Sequence, residues 1–505
     1  MNKEIPKKER LLVNQLRDFI ENDKKNAIAV IAGIRKVGKT TVLNQLEDYY
    51  IKKGKKVIKI NLDETSDDCN LIDEINEKKP DLLLLDEISF LNNYEMFSQT
   101  LYNIAIGAFK IVATGSSLAH IIKLKGSKLG CRSKLFRLLP LTFVEYLYFT
   151  DRIKSYSDYR TVKNDDFADY LQLKGLEEKA PGLALTFDEE YFTDFYNDVE
   201  ISNRQSHLTH SITDLGQNDL TNMVNILAYK LNEAVIYKNT VEPKIGKQEH
   251  HHLAAPPKRT KLKWGKVDLS DTIMEDSVKA VPGIKVADIG RILHFLLWAG
   301  IADIEYYATE PDAQNIDAGQ ALNMLAKIKD KSELETLFAE ISVCMTSPLY
   351  YTRIGEELMQ RMKVPAGELY KGTLYGKMLE IYLRGAIAAK SINSILTSYK
   401  LGYLAGDVDI CDTKNRLLLE VSAGDKDHDE VHVQKYYPEH DFVRICSSKN
   451  KDYFDKKRRF YHIPHAKLCC MADTGDIFTR LYAANMTGDL DADAIAEEYK
   501  ANFCV

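Results

Sequence analysis

Residues 27–40 read Ala27-Ile28-Ala29-Val30-Ile31-Ala32-Gly33-Ile34-Arg35-Lys36-Val37-Gly38-Lys39-Thr40. The first six are apolar, which suits one short buried strand. Gly33 opens a loop, and a helix is predicted from Lys39 to about Lys52. From Gly33 onward the chain matches GxxxxGK[ST]. In that pattern glycines let the backbone curl so that its N–H groups face phosphate oxygens. Lys39 supplies a point charge to the β- and γ-phosphates, and Thr40 a hydroxyl to Mg2+. The helix N-terminus directs its dipole at the same anion. The pattern alone occurs by chance, but a strand before it and a helix after it are the context its chemistry needs. Gly33, Ile34, Arg35, Lys36, Val37, Gly38, Lys39, Thr40 and Thr41 are therefore the expected nucleotide-binding residues.

The flanking pattern extends this unit. Leu11, Leu12, Leu16, Phe19 and Ile20 have helical spacing, and Val57 to Leu62 reads as a strand. Leu82 to Leu85 is a fully apolar strand that runs into Asp86-Glu87. Lys110 to Ala113 is another, ending in Thr114-Gly115-Ser116-Ser117. Strands alternating with helices imply an α/β fold with a parallel sheet covered on both faces. Ligands in such sheets bind beyond the carboxyl ends of the strands, where Gly33, Asp86 and Thr114 all fall. Asp86 is expected to hold Mg2+. Glu87 stands where a carboxylate polarises an attacking water, unless it is only a solvated strand-end acid. Thr114 and Ser116 either sense the γ-phosphate or simply end a strand. A guanine-reading NKxD motif is missing, since Asn450-Lys451-Asp452 has the wrong spacing, so ATP is favoured over GTP.

The chain's 505 residues suggest two to four domains. Hydrophobic residues make up 45%, enough for full burial, and charged residues 28%, as in ordinary soluble proteins. A formal net charge of -6 gives no overall drive toward nucleic acid or an acidic membrane. The first ten residues are charged and lack a signal peptide's apolar stretch. Apolar runs such as Ala27 to Ile34 and Phe295 to Ile301 are too short to span a bilayer. The eight cysteines form no CxxC pair, and a reduced cytoplasmic setting is expected.

Four regions are expected: 1–150 for the nucleotide-binding domain, 151–275 for a mostly helical connector or insertion, 276–364 for a winged-helix-like region, and 365–505 for a second α/β domain. The connector holds His250-His251-His252 and a basic stretch, Lys258 to Lys266, that reads as a linker or exposed edge. Val286, Ile289, Ile292, Leu293, Leu296 and Leu297 have helical periodicity, and Ile301 to Tyr307 reads as a strand after that helix. Helix followed by hairpin suits a winged helix. Leu374 to Ala389 reads as a helix, followed by strands at Tyr399 to Tyr403, Val408 to Cys411 and Arg416 to Val421.

The loop Gly33 to Thr41, the Leu-Leu-Leu-Leu-Asp-Glu strand and Ala113-Thr114-Gly115-Ser116-Ser117 resemble one AAA-like P-loop ATPase family of bacteria and archaea. The most specific match is Arg132 followed by Leu138-Leu139-Pro140-Leu141-Thr142-Phe143-Val144-Glu145-Tyr146-Leu147. Cys131 stands where the family usually has glycine. The resemblance implies that Arg132 is an arginine finger on the γ-phosphate, with a structural arginine, or Arg137 in its place, as the alternatives. It also implies a winged helix and a C-terminal PD-(D/E)xK nuclease-like domain.

In that domain the resemblance assigns Glu380 on a helix, Asp407-Val408-Asp409, and Glu420-Val421-Ser422, so Glu380, Asp409 and Glu420 form the candidate nuclease-like site. Ser422 replaces the lysine that the pattern requires, which weakens water activation, and Lys426 lies four residues on. Lys456-Lys457-Arg458-Arg459 with Phe460 and Tyr461 is a candidate nucleic-acid contact or a solvated face. The sequence points to Mg2+-dependent ATP binding and hydrolysis coupled to rearrangement of the C-terminal domains. A nucleotide-gated binding module with little turnover, and an ATP-regulated metal-dependent nuclease, stay open. DNA or another protein are the open partners, no membrane is expected, and an oligomer is open.

Overall fold

The computed structural model describes residues 8–33, 37–62, 68–88, 100, 102–115, 133–180, 263–264, 267–268, 285–290, 302–308, 327–330, 332–333, 341–345, 347–349, 372–390, 396–399, 408–422, 437–446 and 452–503. They fall into two compact units, one holding the described residues up to Leu141 and the other those from Thr142 on.

The first unit begins with α1 (Leu11–Asn22), whose Leu12, Leu16 and Phe19 are buried at helical spacing. β1 (Ile28–Ala32) is buried at all five positions, and α2 (Lys39–Lys52) follows it across the glycine loop. β2 (Val57–Asn61), α3 (Asp68–Lys78), β3 (Leu82–Asp86), β4 (Lys110–Gly115) and β5 (Ser133–Arg137) complete the unit. The five strands are parallel, in the order β2-β3-β4-β1-β5. β3 and β4 lie inside the sheet, and their unbroken apolar runs answer the burial of both faces. Val30, Ala32, Leu83, Leu85, Ile111 and Ala113 share one core. The register brings Ala32 level with Gly115 and Arg137, and Asn61 level with Asp86. All the carboxyl ends therefore meet at one edge of the sheet, as the alternating pattern predicts.

Among the described residues the first unit runs to Leu141, where the expected domain runs to 150. α4 (Phe143–Phe149) belongs to the second unit, with α5 (Asp165–Leu171) and α6 (Leu176–Lys179). Its Phe143 and Tyr146 meet Phe167 and Tyr170 of α5 edge-on, at centroid distances of 5.4 to 5.6 Å. The motif carried by residues 138–147 thus straddles two units. Leu138 N donates to Ala32 O at 2.7 Å in the first, while Phe143 to Leu147 are buried in the second.

β6 (Lys263–Trp264) and β7 (Val267–Asp268) pair antiparallel where a linker or exposed edge was expected. β8 (Ala302–Ala308) and β9 (Ile341–Met345) are followed by α7 (Gly372–Lys390) and β10 (Leu396–Tyr399). Then come β11 (Val408–Asp412), β12 (Leu417–Ser422), β13 (Asp441–Cys446), β14 (Tyr453–Asp455) and β15 (Phe460–Pro464). α8 (His465–Thr474), α9 (Ile477–Thr487) and α10 (Asp493–Phe503) close the chain. The second sheet has the order β14-β15-β13-β12-β11-β10-β8-β9. β12, β13 and β15 run parallel, whereas β11 is antiparallel to both β10 and β12.

The strand expected at Ile301 to Tyr307 forms, but inside this sheet. β8 pairs in parallel with β10 and antiparallel with β9, so one hydrogen-bond ladder crosses the boundary drawn at 364. Residues 286–290 are helical with Ile289 buried, and the rest of that predicted helix lies outside the described residues. α7 forms as predicted from Leu374 to Ala389, extended at its start. β10 ends at Tyr399, where a strand was predicted to begin, and residues 400–403 lie outside the described set. Among the described residues, no helix is long and apolar enough to cross a membrane.

Candidate functional site

Gly33 and Gly38 bracket the loop between β1 and α2. A Cβ on Gly33 would sit 2.8 Å from Leu138 O and 2.9 Å from Val37 Cγ1, so only glycine fits there. Gly38 has φ +99, a left-handed value that glycine adopts without strain, and it caps α2. Lys39 and Thr40 therefore open the helix at the sheet's carboxyl edge, which is where the motif needs them.

Five residues from α2, β4 and the end of β3 converge beside the loop. The Thr40 hydroxyl donates to Asp86 Oδ2 at 2.7 Å. The Thr114 hydroxyl donates to Asp86 Oδ1 at 2.6 Å and accepts the Glu87 N–H at 2.9 Å. Lys39 Nζ donates to Gly33 O at 2.9 Å and lies 3.9 Å from Glu87 Oε2. Lys39, Asp86 and Glu87 are buried, and Thr114 is 0% exposed. Glu87 has φ +61, a backbone region that non-glycine residues rarely occupy. A hydroxyl and a carboxylate this close are hard oxygen donors that suit Mg2+.

Ile34, Arg35, Lys36, Ser116 and Arg132 lie outside the described residues. Thr41 is on the first turn of α2, and Arg137 ends β5 level with Ala32. Two residues at this edge went unnoticed in the sequence. Arg10 is 3% exposed, and its Nη1 donates to Val37 O at 2.8 Å. Gln45 on α2 accepts the Arg10 N–H at 3.1 Å. Arg10 precedes an amphipathic helix and reads as one more charge in a charged N-terminus, so no local pattern announced it.

In the second unit, Glu380 on α7 pairs with Lys377 at 2.6 Å. Asp409 Oδ2 accepts the Val421 N–H at 2.8 Å. Arg384, one turn beyond Glu380, donates to Asp409 O at 2.7 Å and to Leu396 O at 3.1 Å. Glu420 lies on β12 opposite Arg444 of β13, and Ser422 ends that strand. Asp407 and Lys426 lie outside the described residues. Among the described residues, no three His, Cys, Asp or Glu side chains gather as a metal-holding group. The run Lys456 to Arg459 forms the turn between β14 and β15. Its Arg459 binds Asp441 at 2.9 Å and Arg458 lies 3.5 Å from Asp455, while Lys456 and Lys457 are exposed.

Residues 25–147 match the model of a protein family described as an AAA domain. The chain is 34% identical over 158 residues to the uncharacterized protein MJ1637 of Methanocaldococcus jannaschii, covering 28% of this chain and 32% of that protein. It is 30% identical over 179 residues to the uncharacterized protein MJ1544 of the same organism, covering 34% and 38%. The chain thus spans about a third of the length of these relatives. AMPPCP-bound DnaA from Aquifex aeolicus aligns with a TM-score of 0.25 and 19% identity, over 46% of this chain and 81% of that one. Cdc6p from Pyrobaculum aerophilum aligns with a TM-score of 0.24 and 15% identity, over 71% and 97%. Likenesses this low carry no functional weight. The family match, together with the parallel sheet and its glycine loop, supports a P-loop ATPase domain.

Proposed function

We propose that this protein binds ATP with Mg2+ at the loop Gly33 to Thr41 and hydrolyses it. The carrying observation is the contact set Thr40–Asp86–Thr114–Glu87 at the carboxyl edge of the sheet. Thr40 and Asp86 would hold Mg2+, which would neutralise phosphate charge. Lys39 moves from Gly33 O to the β- and γ-phosphates. Glu87 accepts a proton from the attacking water, in the pose that its left-handed backbone and Thr114 impose. Arg132 is assigned as the arginine finger by the resemblance alone.

The nucleotide cycle is proposed to act on the second unit. Only Leu139, Pro140 and Leu141 separate Leu138, bonded to the end of β1, from Thr142, which caps α4. For that unit we propose a nuclease-like part, degenerate because Ser422 replaces lysine, whose sheet takes in β8 and β9 from the region 276–364, so a separate winged helix there is not kept. The helix α7 followed by β10, β11 and β12, with Asp409 and Glu420 on neighbouring strands, supports this. DNA is the proposed class of partner. Multiple-turnover phosphate release from ATP, with and without DNA, tests the reading. Turnover that is lost in both Lys39→Ala and Glu87→Gln supports it, whereas turnover that persists in both overturns it. The second reading is a nucleotide-gated module with slow turnover. Tight ATP binding without multiple turnover would select it.

A further inference from the structure

We propose that Arg10 is a positioning residue for phosphate binding, acting through the Gly38 amide. The proposal rests on the nucleotide reading and assigns that site a residue outside its motif. Arg10 is the residue before α1, far from the loop in sequence, yet it is buried against it. Its backbone N–H donates to Gln45 Oε1, and Gln45 Nε2 donates back to Lys8 O at 3.1 Å. This reciprocal amide clamp ties residues 8–10 to the helix that the loop feeds.

The guanidinium then spans two carbonyls. Nη1 donates to Val37 O at 2.8 Å and Nη2 to Leu139 O at 3.1 Å. Val37 O belongs to the peptide that carries the Gly38 N–H, and that peptide is trans. In a planar trans peptide the C=O and N–H point in opposite directions. Holding the carbonyl toward Arg10 therefore turns the Gly38 N–H the other way, away from Arg10, and the GxxxxGK[ST] pattern makes that N–H one of those that face phosphate. A cationic donor on the carbonyl also polarises the amide and strengthens it as a donor. The packing is close, since a Cβ on Gly38 would meet Arg10 Nη1 at 2.8 Å. Two carbonyls in fixed directions call for a planar fork, which arginine has and lysine lacks.

The test measures ATP and ADP dissociation constants, each with Mg2+, by calorimetry on the full chain, for the unmodified protein, Arg10→Met, Arg10→Lys and Lys39→Ala. Folding is checked by circular dichroism. Arg10→Met is expected to weaken ATP and ADP equally, by about tenfold to a hundredfold, the worth of one charge-assisted hydrogen bond. Arg10→Lys recovers part of this, because one donor still reaches Val37 O. At saturating ATP, kcat stays within about threefold while KM rises, since the effect is on ground-state binding. A purely structural arginine would lower thermal stability and leave the affinity of the folded fraction unchanged, which overturns the proposal. If Arg10→Met fails to fold, unchanged affinity in Arg10→Lys overturns it. Failure of the unmodified protein to bind either nucleotide sinks the nucleotide reading and this proposal together. Binding lost in Lys39→Ala but intact in folded Arg10→Met sinks this proposal alone.

Discussion

Thr40 and Asp86 stand 46 positions apart in the chain, yet the Thr40 hydroxyl donates to Asp86 Oδ2 at 2.7 Å. That bond joins the first turn of α2 to the end of β3, which are two halves of one motif set. The other carboxylate oxygen of Asp86 is taken by Thr114, which also receives the Glu87 N–H. Thr114 is thus bonded to the Asp86 carboxylate and to the backbone of Glu87, and its hydroxyl ties the two together.

Thr114→Val keeps the shape and removes the hydroxyl. It leaves the buried Glu87 N–H and Asp86 Oδ1 short of a partner, which costs about 1–3 kcal/mol of stability. Turnover is expected to fall roughly tenfold to a hundredfold, because Glu87 is no longer held in its pose. ATP affinity should change only about threefold, because Thr40 and Lys39 are untouched. Steady-state kinetics beside calorimetric binding checks this. Unchanged kcat would remove Thr114 from the catalytic geometry.

Gly33→Ala tests the close approach at the loop's entrance. The added methyl would lie 2.8 Å from Leu138 O, a backbone atom fixed by its own residue's bond to Ala32 O. Nothing there can swing aside, so the loop or the end of β5 must shift. A destabilisation of about 1–3 kcal/mol is expected, with loss of ATP binding. Thermal unfolding and nucleotide titration together would show it. A stable variant that binds ATP normally would mean that the loop yields at no cost.

Two buried groups in the second unit make stability depend on pH in opposite directions. Burial pushes Asp473 up to about 7, against the lowering effect of its bonds to Tyr382 OH and Val144 N–H. Between pH ~4 and 7 the folded state keeps a proton that the unfolded chain releases, so this group makes stability fall as pH rises. Burial pushes His465 down to about 4, opposed by its bond to Asn164 O. Between pH ~4 and 6.5 the unfolded chain holds the extra proton, so His465 makes stability rise with pH. The two slopes offset each other in the shared window. Asp473→Asn retains an oxygen acceptor for Val144 and removes the first slope. The urea midpoint of the second unit, followed by near-UV tyrosine dichroism, should then climb more steeply from pH 4 to 6.5 than in the unmodified protein. Parallel curves would place the titration elsewhere.

The sequence made the first unit legible because each feature was local. Six apolar residues before Gly33 and four before Asp86 signal buried strands, and the loop motif is contiguous. Pairing order was not local: nothing between Ile28 and Arg137 announces that β1 lies between β4 and β5. Arg10 was invisible for the same reason, since its partners are the carbonyls of Val37 and Leu139. The strand at 302–308 was readable, but its membership of the C-terminal sheet depends on Tyr306 meeting Thr397, a pairing that no local pattern encodes. Glu145 carried the family motif and turned out to cap its own helix with Thr142. Asp473 and Tyr382, which finish the same cap, lie hundreds of residues away.

Glu87 combines a functional carboxylate with an uncommon backbone, and the two can be separated. Its φ of +61 costs a non-glycine residue about 1–2 kcal/mol, an expense retained where geometry matters more than stability. Glu87→Gln keeps the backbone, the size and the N–H to Thr114, and removes only the charge that accepts a proton. ATP binding should persist while turnover falls by about a hundredfold to ten-thousandfold. Glu87→Gly should be equally inactive, but its thermal midpoint should exceed that of Glu87→Gln, because glycine adopts this φ without strain. Phosphate release and thermal unfolding on the two variants decide both points. Normal turnover in Glu87→Gln would remove Glu87 as the water-activating base. A lower midpoint for Glu87→Gly would mean that the side chain's contact with Lys39 outweighs the relief of strain.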